Sequence, residues 1–146
     1  MTSPRLLTGQ GTVWPHLRDL LAAPRSRKAP GWFAIAYIGS SAETWLPLLA
    51  RDTLVCDASD DAVRLGLTSV AQLRRWVDIG VNIYSREGLH SKTGTVAGRA
   101  FVGSTNASGS SPTDRIEAAL VTSEAQVGAD VTAYVKQFCG IHRPDT

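Results

Sequence analysis

Apolar side chains recur along the chain with the spacings of alternating helices and short buried strands. The first predicted helical face consists of Trp14, Leu17, Leu20 and Leu21. Pro24 is expected to end that helix. Residues 32–38 and 53–56 are apolar runs of strand length, which is typical of strands covered on both faces of a sheet. A short helix around residues 45–49 is expected between them.

The alternation continues through two further predicted helices. Ser59 and Ser69 are predicted helix caps, because a serine hydroxyl accepts hydrogen bonds from the backbone amides at a helix start. The second of these helices is expected to end at Gly80, since glycine is favoured just past a helix. Its predicted inward residues are Val70, Leu73 and Val77, with Arg74, Arg75 and Asp78 outward.

The last third of the chain is predicted to hold strands and one helix. A strand over residues 81–84 precedes a hairpin from about residue 89 to 105, and another strand covers residues 116–121. Ser123 is expected to cap the final helix. The inward stripe of that helix is predicted to be Val127, Val131, Tyr134, Val135 and Phe138.

This order of elements predicts an α/β protein. The 146 residues form one domain, expected to be an α/β/α sandwich with a mixed central sheet. Residues 1–30 are interpreted as a basic N-terminal helix and loop, and residues 141–146 as a flexible tail.

Composition excludes several classes of protein. Apolar residues make up 43% and charged residues 19%, which excludes disordered, collagen-like and coiled-coil chains. No apolar run approaches the roughly 18–20 residues of a membrane span, and no secretion signal is recognised, so a cytoplasmic location without membrane contact is expected. Cys56 and Cys139 fit no zinc or redox spacing and are expected to be free thiols. The net charge is +2, with a basic run at residues 25–28.

The candidate chemistry lies in the predicted hairpin. His90 and Lys92 are two residues apart and share a strand face, and so do Ser104 and Asn106. Folding the hairpin about Gly98 is predicted to set Lys92 opposite Ser104 and His90 opposite Asn106. A proton carrier, a cation, a hydroxyl and an amide would then meet at one end of the sheet. That set of groups suits a tetrahedral phosphate.

These residues resemble the signature of the phospholipase D superfamily, which is His-x-Lys, then Asp, then Gly-Ser-x-Asn. The matching positions are His90, Lys92, Gly103, Ser104 and Asn106, and Glu117 stands eleven residues past the asparagine, where the family has a glutamate. The family aspartate is replaced by Ala97. The match covers under a quarter of the chain. The length of the whole chain resembles that of the small single-motif bacterial nucleases of this family.

The resemblance implies a mechanism as well as a phospholipase D-like fold. The family forms a covalent phosphohistidine with two histidines, and this chain has one motif, so a homodimer with a composite site is implied. One His90 would attack phosphorus and the other would protonate the leaving oxygen. Lys92 and Asn106 would hold phosphate oxygens beside Gly103 and Ser104, and Glu117 would orient the imidazole. No acidic cluster suited to Mg²⁺ accompanies the motif, so activity without metal or any other cofactor is expected.

Three functions remain open from the sequence. The first is a metal-independent endonuclease acting on nucleic acid, DNA favoured over RNA, as a stand-alone enzyme or part of a restriction or defence system with a partner protein supplying specificity. The second, suggested by Ala97, is a non-catalytic nucleic-acid or phosphate-binding subunit. The third is a small phospholipase or phosphatidyl-transfer enzyme. Residues 107–113 are interpreted either as the rim of a substrate channel or as a plain connecting loop, and core or turn roles are favoured for Tyr37, Ser40 and Asp57.

Overall fold

A computed structural model describes residues 4–21, 29–107 and 116–140. These residues form seven strands and four α-helices, with a single 3₁₀ turn at Ala42–Thr44. In chain order the elements are β1 (Arg5–Gln10), α1 (Val13–Leu21), β2 (Trp32–Ile35), β3 (Thr53–Cys56), α2 (Asp60–Arg64), α3 (Val70–Asp78), β4 (Asn82–Ser85), β5 (Lys92–Val96), β6 (Arg99–Gly103), β7 (Ile116–Thr122) and α4 (Ala125–Lys136).

All seven strands belong to one mixed sheet with the order β1-β7-β6-β5-β2-β3-β4. β2, β3 and β4 run parallel, whereas β5 is antiparallel to β2. β5, β6, β7 and β1 then pair antiparallel in succession. The carboxyl end of β2 therefore lies at the same sheet edge as the start of β5, the end of β6 and the start of β7.

Helices cover both faces of the sheet, which confirms the predicted α/β/α sandwich. α1 and α3 contribute Trp14, Leu17 and Trp76 to the larger core, together with Phe33 and Phe101 from the strands. α4 packs on the opposite face, and its fully buried Val135 meets alternate residues of β2 and β3. Because successive strand residues point to opposite faces, β2 and β3 serve both cores and are apolar except for the buried Thr53.

Several local predictions need correction. Arg5–Gln10 is a strand, so residues 1–30 are more than a helix and a loop. Residues 45–49, where a helix was expected, are irregular, and the only helical turn nearby in the described chain is the 3₁₀ turn at Ala42–Thr44. α4 begins after Glu124 rather than after Ser123. Pro24, the basic run 25–28, most of the 107–113 segment and the 141–146 tail lie outside the described residues.

The inward faces of two helices also differ from the prediction. Val70 and Val77 of α3 are exposed, and the buried residues are Gln72, Leu73 and Trp76. The Oε1 atom of the fully buried Gln72 side chain accepts hydrogen bonds from the Glu43 amide and the Arg75 guanidinium, whereas its Nε2 group has no hydrogen-bond partner among the described residues. In α4, Val127 is 39% exposed although the stripe predicted it inward. The serine caps at Ser59 and Ser69 are confirmed, since each hydroxyl accepts from the amide three residues later.

The hairpin is confirmed, but its register is one residue from the predicted one. Val96 pairs with Arg99, so Ala97 and Gly98 form a two-residue turn in which both have positive φ, 54° and 74°. Two left-handed residues give the turn whose twist matches the flanking strands. Thr93 consequently pairs with Val102, so the predicted register, with Lys92 opposite Ser104 and His90 opposite Asn106, is wrong by one residue.

Candidate functional site

The predicted site residues cluster at the sheet edge where β2 ends and β5 begins. Lys92 is the first residue of β5 and pairs with Ile35, the last residue of β2. Gly103 is the last residue of β6, and Glu117 is the second residue of β7. Loop residues that follow or precede these strand ends carry the remaining candidates, His90, Ser104 and Asn106.

His90 and Lys92 are joined through the backbone. The Lys92 ammonium donates to the His90 carbonyl oxygen at 2.8 Å, while the His90 side chain itself is exposed. Lys92 is only 8% exposed. Burial lowers the pKa of Lys92, and the negative charge of Glu117 partly offsets this effect. Lys92 thus presents a partly desolvated cation that also fixes the loop carrying the histidine.

Ser104 and Glu117 form a second pair. The Ser104 hydroxyl donates to the Glu117 carboxylate and accepts from the Ala118 amide at 3.2 Å. Among the described residues, no hydrogen bond joins Glu117 to His90, and the orientation of the imidazole by Glu117 stays a prediction. The carboxylate instead lies where its charge acts on Lys92.

Gly103 is required by the close approach of β6 and β7. A Cβ atom at this position would lie 2.6 Å from the Ala118 carbonyl oxygen and 2.8 Å from the Ala119 side chain. Only glycine lets the two strands meet here, and this meeting brings Ser104 to Glu117.

Asn106 is held from two sides. Its Oδ1 accepts from the Tyr37 amide at 3.1 Å, and its backbone carbonyl accepts from the Trp14 indole at 2.8 Å. Because Oδ1 is used by Tyr37, the amide orientation is set, and the Nδ2 donor group points away from that backbone. Neither partner was predicted, since they lie 69 and 92 residues from Asn106 along the chain.

Asp57 is a further contributor that sequence reasoning assigned to a core or turn role. Its carboxylate accepts from the Ser59 amide at 3.0 Å and from the Gly88 amide at 3.1 Å. Burial alone would raise the pKa of Asp57, but the hydrogen bonds from Ser59 and Gly88 outweigh it and the pKa is lowered. Asp57 is thus a charged anchor for the segment that leads from β4 to His90.

A groove of about 680 Å³ opens between the start of β5, the end of β6 and α4. It brings together four predicted site residues, His90, Lys92, Gly103 and Ser104. Asn106 and Glu117 are not in its lining, although Glu117 contacts the groove residue Ser104. The groove is also lined by side chains that were assigned to packing from the sequence, namely Val127, Val131 and Tyr134.

The described ranges bear on metal binding, on membranes and on the two thiols. Among residues 4–21, 29–107 and 116–140, no three His, Cys, Asp or Glu side chains lie close enough together to share a metal ion. In the same part of the chain, no helix has the length and apolar character needed to cross a membrane. Cys56 and Cys139 are free thiols, and burial, with a smaller contribution from the Asp57 charge, raises the pKa of Cys56 to about 12.

Comparison with known proteins identifies the fold. No protein-family model and no curated protein sequence matches the chain. NucT from Helicobacter pylori superposes with a TM-score of 0.71 at 10% identity, over 94% of this chain and 95% of that one. Nuc from Salmonella typhimurium, a phospholipase D family member, superposes with a TM-score of 0.69 at 13% identity over the same shares. The chain has a phospholipase D-like fold.

The phospholipase D-like fold is also found within a larger protein of different character. TrmBL2, an archaeal chromatin protein described as showing a novel mode of DNA binding, matches with a TM-score of 0.62 at 8% identity, over 95% of this chain and 53% of that one. Identities this low establish the shared fold and leave the chemistry of each protein to its own residues.

Proposed function

We propose that this protein is a metal-independent phosphodiesterase that cleaves nucleic acid. The observation that carries the proposal is the groove that holds His90 and Lys92 beside Gly103 and Ser104 at one sheet edge. An exposed imidazole next to a desolvated cation supplies a nucleophile and a partner for phosphate oxygens. The phospholipase D-like fold, matched over 94% of the chain, supports this reading of the residues.

The reaction proceeds in two displacements. A nitrogen of His90 attacks phosphorus and forms a P–N bond while the P–O bond to the leaving oxygen breaks. The leaving oxygen takes a proton from His90 of the partner subunit, which then removes a proton from water. That water attacks phosphorus, breaks the P–N bond and releases the phosphate product. Lys92 and the Nδ2 group of Asn106 hold the non-bridging oxygens, whose negative charge grows in the transition state.

A homodimer follows from this chemistry, because one chain carries one motif. An exposed His90 on a two-fold axis meets its own copy, since a two-fold interface brings each residue near the same surface of the partner. Light scattering is expected to give twice the chain mass. Adding an excess of the inactive His90→Asn protein to wild type is expected to lower the activity through mixed dimers, and unchanged activity after proven subunit exchange would contradict the composite site.

The direct experiment compares two histidines that are both exposed. Wild type, His90→Asn and His16→Asn are incubated with labelled single- and double-stranded DNA and RNA in excess EDTA. His16 is exposed on α1 and is the matched control. Wild type and His16→Asn are expected to cleave equally, and His90→Asn at least about 1000-fold more slowly. Equal cleavage by His90→Asn, or loss of wild-type cleavage in EDTA, would contradict the proposal.

A second candidate is a nucleic-acid-binding subunit without turnover. The likeness to TrmBL2, whose description names DNA binding, and the presence of Ala97 in place of the family aspartate favour this candidate. Retention of DNA that weakens steeply with salt, with no cleavage by wild type, would identify it. Restriction or defence work with a specificity-giving partner belongs to the first candidate and is tested by copurification from the native host.

A further inference from the structure

The groove has two chemically different walls. His90 and Lys92 line one of them, and their charge and hydrogen-bonding capacity suit a phosphate. The second wall is apolar and consists of Val102 of β6 with Val127, Val131 and Tyr134 of α4. Val102 is 54% exposed and Val127 is 39% exposed, so this wall offers apolar surface to whatever lies beside the phosphate.

The apolar wall is fixed to the catalytic loop. The Tyr134 hydroxyl bonds the Ser91 hydroxyl at 2.9 Å, and Ser91 stands between His90 and Lys92. The Tyr134 ring packs edge-on against Phe138 at 5.2 Å, which restricts its rotation. The aromatic ring of Tyr134 is therefore held at a set position relative to the segment that carries His90 and Lys92.

Charge distinguishes what the apolar wall accepts. Asp130 lines the groove on the α4 side, so a second phosphate placed there meets a carboxylate and is repelled. A neutral group with N–H donors is accepted, because a carboxylate accepts hydrogen bonds. A nucleobase combines a flat apolar surface with N–H donors, and a groove of about 680 Å³ is within the size range of small-molecule sites.

We propose that the wall formed by Val102, Val127, Val131 and Tyr134 binds the nucleobase next to the scissile phosphate. This inference rests on the proposed function, because it assumes that the phosphate belongs to nucleic acid. A base inside a duplex is stacked and paired, and it reaches the wall only after leaving the stack. The preferred substrate is therefore a single strand.

The test removes either the bases of the substrate or the apolar side chains of the wall. Wild type is compared on a single strand, on its duplex and on the same strand with abasic residues. The variant Val102→Ser/Val127→Ser removes methyl groups from the wall. Its matched control is Val70→Ser/Val77→Ser, which changes two exposed valines of α3 outside the groove.

We expect the effects of changing the wall and of removing the bases to be non-additive. Wild type cleaves the intact strand at least about tenfold faster than the abasic strand or the duplex, since base stacking on protein surfaces is worth that much. The groove variant loses about tenfold in kcat/KM on the intact strand and nothing further on the abasic strand. The α3 control behaves as wild type.

Several outcomes would overturn the proposal. Equal wild-type rates on intact and abasic strands would show that no base is bound. If light scattering gives the groove variant half the mass of wild type, a second copy of the chain covers the wall instead. If no polymer is cleaved, the proposed function fails, and fluorescence anisotropy then decides the wall separately: tighter binding of intact than abasic DNA supports it, and equal binding refutes it. Cleavage of phosphatidylglycerol vesicles alone replaces the base by a lipid and refutes both.

Discussion

The two halves of the sheet contribute to the candidate site in different ways. In the parallel half, β2 and β3 are enclosed by helices on both faces, and β3 is buried at every position. In the antiparallel half, one face of β6, β7 and β1 is open, and its exposed apolar residues are Leu6, Val102, Ile116 and Leu120. The side chains Lys92, Ser104 and Glu117 all come from this half or its loops.

The difference teaches how an enclosed strand takes part in chemistry. Apart from the partly buried Trp32 at the start of β2, the side chains of β2 and β3 are buried, so these strands act through the loop residues that come after them. The Tyr37 amide fixes the Asn106 side chain, and the Asp57 carboxylate holds the Gly88 amide ahead of His90. The parallel half therefore positions candidate site residues that the antiparallel half and its loops supply, and variants in the two halves are expected to have different effects.

The largest effect is expected in the antiparallel half, at Lys92. Replacing Lys92 by Met removes the cation and is expected to lower kcat by about 100- to 1000-fold, as for loss of one group that stabilises transition-state charge. Lys136→Met is the control, since Lys136 is an exposed cation at the end of α4 whose ammonium lies 4.9 Å from the Trp32 ring centroid. Steady-state cleavage rates measure both. A Lys92→Met protein of normal rate would remove Lys92 from the site.

The next effect is expected in the parallel half, as a loss of stability. Asp57→Asn keeps one acceptor and loses the charge, so the free energy of unfolding at pH 7 is expected to fall by about 1–3 kcal/mol. Because the pKa of Asp57 is lowered by folding, its contribution is complete above the ordinary value of 3.8 and is lost as the pH falls below it.

Urea unfolding at pH 7 and pH 3 tests whether the stabilisation by Asp57 decreases on acidification. The difference between wild type and Asp57→Asn is expected to shrink at pH 3, whereas Asp78→Asn, at an exposed position of α3, is expected to match wild type at both pH values. A difference that grows on acidification would show that the Asp57 charge does not stabilise the loop.

A smaller effect connects the core to the reaction. Trp14→Phe removes the indole donor to Asn106 and keeps an aromatic ring against Phe101, so kcat is expected to fall about tenfold with little change in KM. Trp76→Phe is the control, because Trp76 is equally buried in α3. Both variants are expected to lose stability, and only Trp14→Phe is expected to lose activity beyond it. Equal kcat values for the two would show that the indole is a packing group alone.

The smallest effect is expected at the turn between β5 and β6. Ala97 has a φ of +54°, which asparagine adopts more readily than alanine. Ala97→Asn is expected to raise the free energy of unfolding by about 0.5–1 kcal/mol with unchanged cleavage. Gly98→Ala, at a φ of +74°, is the opposite control and is expected to lower it. Thermal unfolding measures both, and a less stable Ala97→Asn protein would contradict the strain.

Local patterns predicted the elements whose neighbours are close in sequence. Thr53–Cys56 and the caps at Ser59 and Ser69 match the prediction, because an apolar run and a hydroxyl before a helix act within a few residues. β1 was missed, since Arg5–Gln10 is a short edge strand without an apolar run and its partner is β7. The long-range pairing that makes it a strand leaves no local trace.

The site shows the same division. The motif spacing predicted which residues gather near the sheet edge, and His90, Lys92, Gly103 and Ser104 share the groove. The motif spacing did not predict the contact between Ser104 and Glu117, because that contact depends on the register between β6 and β7, which residues within the hairpin do not set. The hydrogen bond from the Trp14 indole could not be predicted from the sequence either, since its acceptor is the backbone carbonyl of Asn106, which is distant along the chain.

The pairing of β1 with β7 determines how long β1 stays without its partner strand while the chain is being synthesised. Gln10 pairs with Ile116, so β1 leaves the ribosome more than a hundred residues before its partner strand does. At roughly 5–20 residues per second, that wait is on the order of ten seconds, during which Leu6 and Leu7 have no strand beside them. β1 therefore stays without its partner strand until β7 has been made, and slow codons before β7 would lengthen this exposure.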